Sequence, residues 1–119
     1  MSSDEQRHEL ARFIRSRRER RRPEDVGLPS VGHRRTPGLR REEVATIAGV
    51  SITWYTWLEQ AREIRVSRQV LGSLAGALGL DAVERNHLFR LAGEMPPGDT
   101  ASRDRAELHR QHELLLVHG

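Results

Sequence analysis

The sequence predicts an all-α domain of five helices, followed by a short C-terminal tail. Three observations carry that expectation. Apolar residues recur at helical spacing in successive short segments, each bounded by a capping residue and a glycine or proline stop. The alternating pattern of a half-buried strand appears nowhere. Two of the short helical patterns are separated only by a tight turn at Gly49, a residue with the conformational freedom such a turn requires.

The first helix is expected from about Asp4 to Arg22. Leu10, Phe13 and Ile14 recur at i, i+3, i+4, and Arg17 continues the stripe with its aliphatic stem. Pro23 disfavours helix at the residue before it and ends the segment. From Pro23 to Gly38 three prolines and three glycines predict a loop, with at most one helical turn around Pro23–Val26. A second helix is expected from about Arg40 to Ala48. Ser51 caps a third, which runs to about Gln60. Ser67 caps a fourth, with Val70, Leu71, Leu74, Ala77 and Leu78 as its apolar face and Gly79 as its stop. Gly72 and Gly76 in that helix either permit close packing or simply weaken it. Asp81 and Glu84 form a capping-box pattern opening a fifth helix, which holds Leu88, Phe89 and Leu91 and ends near Gly93. Residues 1–93 are thus read as the folded domain, and 94–119 as linker and tail with at most one more short helix.

A chain of 119 residues fits one domain of this size. Hydrophobic residues make up 36%, which limits the core to modest size, and the absence of cysteine excludes disulfides and thiolate metal sites. No apolar run is long enough for a signal peptide or a membrane span, so the expected setting is the cytoplasm. All 20 basic residues are arginine. Residues 1–41 hold 12 of them against six acids, whereas residues 42–119 hold eight against 11. A basic first third before an acidic remainder is the footprint of a phosphate-binding face. The arginine-rich run from Arg15 to Arg22 also suits the negative end of the first helix's dipole, and a solvated face would look much the same.

The segment from Leu39 to Glu59 meets four conditions of a helix-turn-helix, in order. Ala45 is small where two crossing helices touch, Gly49 is free to turn, Val50 is apolar just after the turn, and Tyr55 and Leu58 point inward from the second helix. The stretches Arg35-Thr-Pro-Gly-Leu-Arg-Arg-Glu-Glu-Val-Ala45, Ala48-Gly-Val-Ser51, Leu58-Glu-Gln60 and Leu88-Phe-Arg-Leu-Ala92 resemble the Xre/phage-repressor class, and especially the MmyB-like transcriptional regulators. The resemblance covers roughly residues 7–93 and implies a five-helix, lambda-repressor-like domain that binds double-stranded DNA. It implies phosphate contacts at Arg40 and Arg41, base reading at Ile52, Thr53, Thr56 and Trp57, and flanking roles for Ser51 and Trp54. Arg34 and Arg35, in the basic turn before the second helix, would neutralise further phosphates. Proteins of this class usually bind two half-sites as homodimers.

Three departures from the family pattern stand out. The ligand-sensing domain that commonly follows is not expected, since 26 residues follow Gly93. The glycine usual after Gln60 is here Ala61, at a cost on the order of 1 kcal/mol if that residue is left-handed. Finally, tryptophan stands at 54 and 57, three apart and so expected on one outer face. Indole can touch thymine methyl groups, but it offers one donor and no acceptor, so direct base readout should be weak and arginine–phosphate contacts should dominate. The alternatives are a protein-interaction module using an exposed Trp54/Trp57 patch, or burial of both rings against the loop at 28–38. No catalytic constellation or Gly-rich phosphate loop is present, and His109 and His112 lack an evident third metal ligand. Neither an enzymatic role nor a cofactor is therefore expected.

Overall fold

The computed structural model describes residues 3–28 and 37–97. Five helices are found there: α1 (Ser3–Arg20), α2 (Arg41–Ala48), α3 (Ile52–Glu59), α4 (Arg68–Ala77) and α5 (Ala82–Leu91), with a single 3-10 turn at Pro23–Val26. No strand occurs among the described residues. The all-α, five-helix expectation therefore holds, with boundaries within about two residues of those read from the pattern. Arg34 and Arg35 lie outside the described residues, as do the His109/His112 pair and the Leu114–Val117 run.

Each helix starts and stops for local reasons. Ser51 Oγ accepts from the Trp54 backbone N–H at 3.1 Å, and Ser67 Oγ from that of Val70 at 3.2 Å. Asp81 accepts from the Glu84 N–H at 2.8 Å, while Glu84 accepts from the Asp81 N–H at 3.2 Å, closing the expected capping box. At α2 the Arg40 backbone N–H donates to Glu43 Oε1 at 2.7 Å, so Glu43 serves as a cap as well as a charge near the helix N-terminus. Gly49 ends α2 at φ 75, and the N–H of Val50 reaches back to Ala45 O at 2.9 Å. That paired closure lets the chain reverse tightly into α3.

The core lies where all five helices meet. α1 packs on α3 and α5, α2 on α3 and α4, and α4 on α5. Ile14, Leu39, Val44, Tyr55, Leu71, Leu74 and Leu88 have essentially no solvent exposure. The stripe of α1 runs at four-residue spacing through Leu10 and Ile14 to Arg18, which is buried. The apolar spacing read from the sequence continues to Arg17. Arg17 instead sits to one side, with its guanidinium 4.7 Å from the Phe13 ring centroid and its Nε 2.7 Å from Glu84. Gly72 and Gly76 face open space, so close helix packing is not their role.

Gly38 does have a packing role. The Leu39 N–H donates to the carbonyls of Arg18 and Arg21 at 3.1 and 2.9 Å, which lays the chain entering α2 across the end of α1. A Cβ at residue 38 would stand 2.2 Å from the Glu19 carbonyl oxygen, so only glycine allows that approach. The start of α2 is thereby fixed against α1.

Candidate nucleic-acid interface

Ala45 is buried between α2 and its neighbours, Val50 packs on the core just after the turn, and Tyr55 and Leu58 point inward from α3. These four places match the helix-turn-helix pattern. The opposite face of α3 is left to solvent. Ser51, Ile52, Thr53 and Trp57 are exposed and Thr56 is half-buried; together Ile52, Thr53, Thr56, Trp57, Gln60 and Arg62 line one shallow depression.

Trp54 departs from the expected outer pair. It lies one turn before Leu58, at i, i+4, which turns its ring toward the core, and it is half-buried there. Trp57 alone stays on the outer face, 38% exposed, with the Arg62 guanidinium 5.7 Å from its ring centroid. The two tryptophans therefore do not form a shared outward patch, and only Trp54 approaches burial.

A buried ionic cluster holds α3 in place. Arg18 of α1 grips the Glu59 carboxylate with two nitrogens, at 2.6 and 3.0 Å, and donates a third hydrogen bond to the Leu39 carbonyl at 2.9 Å. The Tyr55 hydroxyl donates to the same carboxylate. Arg41 Nε lies 3.2 Å from Glu59 Oε1. Glu59, at the end of α3, thus ties together α1 and the first turn of α2, and Arg18 adds the entry to α2. Burial alone would raise the Glu59 carboxyl, but hydrogen bonds from Arg18 and Tyr55 hold it below the usual carboxylate range. Burial and then the neighbouring carboxylate push the Tyr55 phenol well above its ordinary value, so it remains a donor. The sequence pattern did not single out Arg18. Its one signal was the four-residue spacing from Leu10 and Ile14, a place where a charge must have a buried partner.

The six arginines between Arg15 and Arg22 all have carboxylate neighbours within the molecule. Arg15 pairs with Glu19, Arg17 and Arg20 with Glu84, and Arg18 with Glu59, while Arg21 and Arg22 lie near Asp25. Much of the basic N-terminal charge therefore holds α1 to α3 and α5, or its own end together. The cation lining the exposed face of α3 is Arg62. Arg40 is exposed at the start of α2 with Glu42 3.8 Å away, and Arg41 leaves 46% of its side chain to solvent while touching Glu59. No described helix is long and apolar enough to cross a membrane.

Against known proteins, residues 9–88 match the family model of a helix-turn-helix domain. No curated protein and no solved structure matches the chain. The match spans all of α2, α3 and α4, the turn at Gly49, and the Arg18–Glu59 cluster that fixes α3 against α1. By that match and this architecture, the chain belongs to the helix-turn-helix domain family.

Proposed function

We propose that this protein is a DNA-binding transcriptional regulator of the Xre/phage-repressor class, with α3 in the major groove and arginine–phosphate contacts supplying most of the affinity. The observation that carries the reading is the division of labour on α3. Its inner face is locked by Tyr55, Leu58 and the Glu59 cluster, while its outer face is exposed and lies on the element that helix-turn-helix proteins use to read bases. A reader must be rigid to place side chains against base edges, and this helix is held from two sides. Arg40 and Arg41 would engage the backbone beside the groove, with Arg34 and Arg35 adding to them. A homodimer spanning two half-sites is part of the proposal, as is a binding rather than catalytic role in the cytoplasm.

The competing use of the same face, as a protein-docking patch, has less support because Trp54 turns inward and Trp57 stands without it. Titration of a fluorescent duplex at several salt concentrations tests the proposal. Four phosphate contacts per protomer give a log–log salt slope of about −4 per protomer. The double substitution Arg40→Ala, Arg41→Ala is expected to reduce that slope by about two and to weaken all sequences alike. Absence of duplex binding at low salt would remove the reading.

A further inference from the structure

Two polar groups on the exposed face of α3 are engaged within the protein. Thr56 Oγ1 donates to the Ile52 carbonyl at 2.7 Å, so its hydroxyl proton is used by its own helix. The Gln60 side-chain oxygen accepts from Arg62 Nε at 3.1 Å, which takes one lone pair of the acceptor and orients the amide toward Arg62. Trp57 has one donor and no acceptor, and the Arg62 guanidinium is drawn over its ring just past the helix end. Beside these polar groups the face presents apolar surface. Ile52 is 44% exposed and Trp57 38%, and both line the same depression as Thr56.

In the major groove, one base feature is apolar: the methyl group at carbon 5 of a pyrimidine, carried by thymine and by 5-methylcytosine. Resting on the DNA-binding reading above, we infer that the outer face of α3 recognises 5-methylpyrimidines, with Ile52 and Trp57 as the residues that determine the preference. Each methyl group buried against these side chains contributes about fourfold in affinity. Two such contacts together come to the order of tenfold. Hydrogen bonds from Thr53 and Arg62, which line the same depression, are the same for thymine and uracil and do not enter that preference.

The test begins with duplexes retained by the protein from a random-sequence pool at low salt. The retained duplexes are resynthesised with uracil in place of thymine, or with 5-methylcytosine in place of cytosine, and retitrated. Uracil keeps every hydrogen-bonding group of thymine and lacks only the methyl. The expected result is that the uracil form binds on the order of tenfold more weakly. The double variant Ile52→Ala, Trp57→Ala should bind thymine duplexes on the order of tenfold more weakly and bring the thymine-to-uracil ratio close to one, with helicity retained. A gain with 5-methylcytosine and no loss with uracil would assign the methyl to methylated cytosine and still support methyl reading. Equal binding of all three forms overturns the inference and leaves DNA binding standing, as does a thymine preference that survives in the double variant. Retention of no duplex from the starting pool overturns both readings together.

Discussion

At Ala61 the backbone takes a left-handed turn, φ 59, the one described non-glycine residue to do so. The turn closes α3 as Gly49, Gly79 and Gly93 close α2, α4 and α5. The Ala61 N–H bonds to Leu58 O at 3.2 Å and that of Arg62 to Trp57 O at 3.1 Å, so two end carbonyls are satisfied. The methyl group crowds that conformation at a cost of about 1 kcal/mol. Glycine would relieve the crowding but add freedom to the unfolded chain. Ala61→Gly should therefore raise stability by a net of about 0.5 kcal/mol, or about 3 °C in thermal midpoint. At Glu59 the expected effect is opposite and larger. Glu59→Gln leaves the buried Arg18 guanidinium without its counter-charge and should cost about 3 kcal/mol in denaturant unfolding. The folded carboxyl titrates below its unfolded value, so its contribution is present above the unfolded pKa of about 4.3 and is lost as the pH falls through the lower folded value. The acid limb of an unfolding curve should flatten in the Gln variant.

Among the elements, α4 carries an avoidable weakness. Gly72 lies in its interior with open space around it, so Gly72→Ala should stabilise the domain by about 1 kcal/mol in thermal or denaturant unfolding. Removing the cap of the reader helix, Ser51→Ala, should cost about as much. Helices and caps such as these were legible in the sequence because their causes are local: Ser51, Ser67 and Asp81 act on N–H groups three residues away. The helix-turn-helix was legible for the same reason, since Ala45, Gly49, Val50, Tyr55 and Leu58 satisfy conditions of fixed spacing. Other features depend on contacts distant in the sequence. Gly38 matters because Glu19 lies against it, and Glu59 because Arg18, forty-one residues earlier, reaches it. Trp54 departs from its expected face for a milder reason. Spacing from Trp57 suggested a shared face, but spacing from Leu58 binds it more closely to the core.

At the scale of the molecule, α1 and α2 fix one short element, α3, and leave its far side open. The charge asymmetry of the chain looks different in that light. The arginines ending α1 mostly meet carboxylates of the same molecule, so the proposed phosphate anchors reduce to the cations around the start of α2 and the turn before it. The central claim is that the exposed face of α3 lies against duplex DNA. It is tested most directly by placing a negative charge on that face, Thr53→Glu, and a matching control charge at Val83→Glu, 77% exposed on α5. Both variants should keep the helicity of the parent. In a duplex titration at low salt, Thr53→Glu should lose at least on the order of tenfold in affinity through repulsion by the phosphates, with Val83→Glu close to the parent. Equal affinity of Thr53→Glu and the parent would contradict the account.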